Sequence, residues 1–418
     1  MSFEGAPSVV SVLTLVPLVA IFAWGQRLPA GAVSLPCVTA LTSLVYFYVM
    51  PALALAAGDP GFLGLYITSL ETTHLVAALY LAGAGVAFVA NRQTLATDPA
   101  MVRDDDGAFA SLMYRVLWIV AIAGVGVLVA TGRLNVLGRE DYVLAFNEGN
   151  ARFAFVAQAY TLMIPLTLLA LVRDRFSGRS LVLLAVVLAV FLQVGFRWRI
   201  MVLLAAAGTA FAVMGGWRIG VVAVAALVFG AMVAANGIGA IRRYGQGVDL
   251  SGVGDLTLER LLSSFGGEFG IVYVLNYAAD HPLVEWVWFE PWVVGFARLV
   301  PTFLWPDKPV ALYLTHFTDG MTSPYANQAG IAAPQHVEML YQFGWFGVPI
   351  LAFAYFGLAS RFAGVMHGLS RDCRIAGWAL APAFFGFYMQ TRGYFFQVLA
   401  DGLFVFGPVM LLSVRLRR

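Results

Sequence analysis

Apolar runs of roughly 16–22 residues, separated by short polar turns, recur along most of the chain. They lie near 8–24, 36–57, 74–91, 113–131, 154–172, 179–196, 200–215, 219–238, 338–358, 376–391 and 394–414. Runs of this length cross a hydrocarbon core of about 30 Å as helices. The pattern predicts an all-α, polytopic bundle of about eleven transmembrane helices. Alternating ten-residue strands do not occur, which argues against an outer-membrane barrel. No internal repeat or low-complexity linker divides the chain. The organisation expected is one membrane domain in three stretches: helices over 1–238, a large loop over 239–337, and helices over 338–418.

The places where the pattern breaks are informative. Residues 181–214 would make one helix of about 50 Å, too long for a bilayer. The interruption Gly195-Phe196-Arg197-Trp198-Arg199 predicts a tight hairpin with Arg197 and Arg199 at a helix start, near the membrane surface. In the loop, Leu258, Leu261, Leu262, Phe265, Phe269 and Val272 recur at helical spacing, with Glu259, Arg260, Ser263, Ser264 and Glu268 on the other face. This predicts an amphipathic interfacial helix. Trp286, Trp288, Phe289, Trp292 and Phe296 form an aromatic belt expected at headgroup depth. The segment 287–304 reads as a short re-entrant or a further interfacial helix. From Arg298 to Gly344 the chain is polar and turn-rich, with its only lysine, Lys308, and two of its five histidines.

Composition agrees with this picture. The chain has 418 residues, 61% hydrophobic and 11% charged. A soluble domain carries about 25% charged residues, so this chain cannot face water all round. The start, MSFEGAPS, lacks a basic region, and the first run reads as a retained span. Two cysteines, Cys37 and Cys373, do not suggest a disulfide framework.

Orientation follows from arginine in the short loops. The turn 173–179 and the loop 360–374 each carry three arginines, and the chain ends RLRR. Placing these in the cytoplasm puts the N-terminus and the loops near 58–73, 132–153 and 239–337 outside. That side then carries Arg133, Arg139, Arg152, Arg197, Arg199, Arg242, Arg243, Arg260, Arg298, Lys308 and Arg392, against the usual bias. An outer face that binds an anion accounts for them; pairing with nearby acids, or snorkelling to headgroups, is the plainer account.

Nucleotide-binding glycine loops, nucleophile-elbow motifs and zinc-helix motifs are absent. His336-Val337-Glu338 and His316-Phe317-Thr318-Asp319 are sparse for a metal site, and neither a metal nor another cofactor is expected. What remains is a set of basic groups, a His–Glu pair and aromatics at a membrane surface. Guanidinium forks match diphosphate oxygens in geometry and stay charged at any relevant pH. Arg197, Arg199, Arg242, Arg243, Arg298 and Lys308 are the candidate anion-binding residues. His336 or Glu338 is the candidate base for a sugar hydroxyl. Trp305, Phe317 and Tyr325 offer faces to sugar rings. Each has a plainer reading: Glu338 as a helix cap, His336 as a packed core residue, and the tryptophans as interface anchors.

Those residues resemble, in layout, the repeat-unit polymerases of O-antigen and exopolysaccharide synthesis (the Wzy type), and more distantly the O-antigen ligases. Gly195-Phe196-Arg197 looks like their glycine- or serine-arginine signature. Pro301 to Lys308 looks like the proline-and-lysine stretch of the polymerases' large loop, and Gln335 to Gly347 like the segment entering the next span. The ligases' His-Asn pair is not matched, since Val337 follows His336. The resemblance spans about residues 180–350. It implies a metal-independent glycosyltransferase on the periplasmic face of a bacterial inner membrane. Its donor and acceptor would be undecaprenyl-diphosphate-linked oligosaccharides, and its partners membrane lipids and a chain-length regulator protein, with no nucleic acid. Arg197 and Arg298 would hold the donor diphosphate, with Arg242, Arg243 and Lys308 secondary. The rival expectations are a flippase of lipid-linked sugars, a ligase and an assembly component without chemistry.

Overall fold

The computed structural model describes residues 9–28, 31–56, 65–97, 107–130, 158–194, 197–215, 242–243, 247–248, 270–281, 287–300, 304–307, 309, 334–392 and 395–415. They are overwhelmingly helical. A first helix, α1 (Leu15–Gly25), leads to α2, which begins as Leu35–Ser43 and passes through a π-helical turn, Leu44–Val49, into Met50–Ala56. Then follow α3 (Leu70–Ala90), α4 (Ser111–Ala130), a 3₁₀ turn Ala159–Leu162 entering α5 (Met163–Arg173), α6 (Gly178–Val194) and α7 (Arg197–Gly215). Beyond these lie α8 (residues 270–280) and α9 (Glu290–Leu299). The chain closes with α10 (Gln335–Met366), α11 (Arg371–Ala381, continuing as a π-helix over Pro382–Tyr388 and as Met389–Arg392) and α12 (Phe395–Leu412).

Among the described residues, five helices are long and apolar enough to cross a membrane: Leu35–Ala52, Leu70–Ala90, Ser111–Ala130, Trp198–Gly215 and Gln335–Met366. Four shorter apolar helices, Ser11–Gly25, Ala159–Arg173, Gly178–Leu192 and Val398–Leu412, pack among them. The expected span 219–238 and the amphipathic segment before residue 270 lie outside the described residues. Helix α6 ends at Val194 and α7 begins at Arg197; the hairpin expected between them falls on residues 195–196, outside the described residues. Helix α9 has ten residues, about 15 Å, too short to cross a bilayer. It exposes Val293 and Phe296 and buries Val294 and Ala297, as an interfacial helix does.

The arginine-rich turns share one end of the bundle. Gly107–Phe109 (β1) pairs antiparallel with Ser413–Arg415 (β4), Ser370 N–H donates to Ser413 Oγ, and Gly364 faces Thr94. A second ladder, Arg242–Arg243 (β2) with Gly247–Val248 (β3), is the other strand pair among the described residues.

Two expected spans need correction. The run 376–391 starts earlier, at Arg371, and widens to a π-helix over Pro382–Tyr388. The run 338–358 straddles a fold in its helix. Phe343 (φ −141°, ψ 22°) and Gly344 (φ 63°, ψ −155°) break α10. The two arms lie against each other, since a Cβ on Gly347 would come 2.5 Å from the Met339 carbonyl oxygen. Gly344 occupies backbone space open essentially to glycine, so Gly344→Ala is expected to cost about 1–3 kcal/mol. A melting curve in detergent checks it. An unchanged midpoint would mean the fold-back does not need that conformation.

Candidate functional site

Every residue of the first arm of α10, from Gln335 to Gln342, is buried. The arm is amphipathic in an unusual sense: at spacing i, i+3, i+7 it carries Gln335, Glu338 and Gln342, a polar stripe facing inward. Gln335 Oε1 accepts from Tyr80 Oη at 3.0 Å. Glu338 Oε2 accepts from the Phe395 backbone N–H at 2.8 Å, and its Oε1 from Gln342 Nε2 at 3.2 Å. Glu338 is therefore a cap, but of α12 rather than of its own helix, where it answers an N–H with no intrahelical acceptor. His336 is fully enclosed. Its ring lies 4.0 Å from the centroid of Tyr80 and 4.4 Å from that of Phe47, and among the described residues neither ring nitrogen has a hydrogen-bond partner. The two residues expected as alternative bases thus sit on one arm, with Glu338 turned to α12 and His336 set between two aromatic rings.

A second polar cluster gathers at the start of α7. Arg199 is 2% exposed, held by neighbouring side chains of the bundle. Its Nε donates to Thr161 Oγ1 at 3.0 Å and its Nη2 to Gln158 Oε1 at 2.6 Å. Its guanidinium carbon lies 4.4 Å from the Tyr160 ring centroid and 4.3 Å from that of Trp198, a cation–π arrangement favoured where water is excluded. Trp198 stacks on Tyr388 at 4.2 Å. Tyr388 Oη donates to Asp401 Oδ2, and the buried Asp401 carboxylate feels the Arg199 charge. Ionisable groups this deep in a helical bundle are costly unless paired, and mark function by default.

The other candidates are placed only in part. Arg197 opens α7 and Arg298 lies near the end of α9. Arg242 and Arg243 form β2. Nothing is described for these four side chains, and Lys308, Phe317 and Tyr325 lie outside the described residues. Trp305 is exposed. Sequence reasoning missed Gln335, Gln342, Gln158, Thr161, Tyr80 and Tyr388 as members of these clusters. The glutamines carried a usable signal, being polar residues within or beside apolar runs.

A third polar knot ties α8 to α3. Asn276 Oδ1 accepts from Thr68 N–H at 2.8 Å, and its Nδ2 donates to the Ser69 carbonyl at 2.6 Å and to Thr73 Oγ1 at 3.2 Å. This anchors part of the long loop to the bundle. At the arginine-rich end, burial and the Arg374 charge hold His367 below the ordinary imidazole range, so it adds no charge there at neutral pH.

These helices define a membrane protein of the helical class. Compared with protein-family models, with curated proteins and with solved structures, the chain matches none.

Proposed function

We propose that this chain is a glycosyltransferase of the bacterial inner membrane, polymerising undecaprenyl-diphosphate-linked oligosaccharide repeat units on the periplasmic face during O-antigen or exopolysaccharide synthesis. The observation that carries the reading is α12. Its first N–H is held by Glu338, and Asp401, six residues further on and so about 9 Å along the axis, lies within electrostatic reach of Arg199. One helix therefore links the candidate base to the helix start that opens with Arg197. A basic group stabilises a diphosphate leaving group, and a carboxylate accepts the proton of the attacking hydroxyl. The orientation rests on the arginine-rich turns, which share one end and by the positive-inside tendency face the cytoplasm.

Lipid-linked glycans test it. Arg197→Ala is expected to leave single repeat units on the lipid carrier at the outer face, with normal protein abundance. Full-length polymer from that variant would remove Arg197 from the reaction. A flippase is the second reading, favoured by the break at Phe343–Gly344 and by the buried Arg199 and Asp401, since transporters keep broken helices and charges within the membrane. For a flippase, the deletion strain would show no lipid-linked unit at the outer face.

A further inference from the structure

We propose that Arg199 is a positioning residue, and that Asp401, Tyr388, Gln158 and Thr161 complete a brace that fixes the first turn of α7 and with it the placement of Arg197. The inference rests on the donor-binding role given to Arg197 above, and it takes Arg199 itself out of contact with the donor. Three observations carry it. One edge of the guanidinium able to grip a diphosphate, Nε with Nη2, is spent on Thr161 and Gln158. The faces of the group are taken by Tyr160 and Trp198. The rest of the cluster comes from far along the chain: Tyr388, at the end of the π-helical stretch of α11, stacks on Trp198 and donates to Asp401 in α12. Trp198 and Arg199 together therefore tie the turn entering α5, α11 and, through Tyr388, α12 to the first described residues of α7. A π-helical insertion shifts the register of the residues after it, and such insertions concentrate at functional sites. Here the shifted stretch ends on Tyr388, which holds Asp401 and stacks on Trp198.

The brace is tested with the full-length protein in proteoliposomes, using a synthetic diphosphate-linked repeat unit on a polyprenyl lipid. Arg199→Met and Asp401→Asn each leave one buried charge without its opposite, and both single variants are expected to accumulate poorly. The double variant removes both charges and is expected to accumulate as wild type. Its kcat is expected to stay near wild type while its KM for the donor rises about 10- to 100-fold. A wild-type KM in the double variant would reduce the cluster to a structural ion pair. A loss as complete as that of Arg197→Ala would return Arg199 to direct donor contact. Arg199→Lys is the second line of evidence should the double variant fail to fold. It keeps the charge opposite Asp401 but loses the fork to Gln158 and Thr161, so the same KM rise is expected, and an unchanged KM overturns the brace. Wild-type protein that carries the lipid across the vesicle membrane without elongating it would sink the polymerase reading alone. The same KM comparison, made on transport, would then decide the brace.

Discussion

Glu338→Gln is expected to leave protein abundance intact and to reduce polymer to single lipid-linked units, a loss of about 10²- to 10⁴-fold in elongation. The two functions of this carboxylate separate in that variant. The glutamine side chain keeps an oxygen that accepts from the Phe395 N–H, now 2.8 Å from Glu338 Oε2, so the start of α12 stays capped. What it loses is the capacity to take a proton. Glu338→Ala is expected to lose both. It strands the Phe395 N–H and the Gln342 amide in a buried setting, at about 1–3 kcal/mol each. Abundance measured alongside glycan length distinguishes the outcomes. A normal ladder from Glu338→Gln would leave the residue as a cap alone and would move the search for a base to His336. Among the described residues, His336 has two unpartnered nitrogens but needs the Phe47–Tyr80 enclosure to open before a hydroxyl reaches it.

The second large effect is mechanical. A Cβ on Gly83 would lie 2.1 Å from the carbonyl oxygen of Pro349 and within 2.9 Å of two more backbone atoms of that residue. Neither backbone can rotate away as a side chain does, so Gly83→Ala must push α3 and α10 apart. Overpacking of this kind costs about 1–3 kcal/mol, and glycine-mediated approach is how membrane helices gain close packing when lipid supplies no hydrophobic drive between them. Because α10 carries Gln335, His336 and Glu338 on the arm folded against this contact, polymer length is expected to fall with stability. Gly126→Ala is the control: nothing lies within 4 Å of its added methyl, and helix propensity alone predicts a gain of up to about 1 kcal/mol. Melting midpoints in detergent compare them. Equal shifts of the same sign would mean that the α3–α10 contact is looser than this geometry.

The breaks in the hydrophobic pattern were legible wherever a local rule governed them. The turn expected before Arg197 follows from length, because no bilayer accommodates the continuous run 181–214, though it falls on residues 195–196, outside the described residues. The short helix Glu290–Leu299 follows from a cluster of tryptophans and phenylalanines at one depth. The break inside α10 was not legible in the same way. Residues 338–358 read as one apolar run, and Gly344 there looks like any small residue of a membrane helix until its backbone angles are known.

The candidate site divides along the same line. Sequence alone determined that the chain is rich in apolar helices, and it singled out Arg197, Arg199, His336 and Glu338 among the candidates for chemistry. These conclusions depend on composition and spacing, which every residue carries with it. Tertiary structure alone decided whom those groups meet. Glu338 finds its partner 57 residues away at Phe395, and Arg199 reaches back to Gln158 and Thr161. In a medium where an unpaired polar group costs several kcal/mol, such groups must be paired. The chain order states that need and leaves the choice of partner to the path of the backbone.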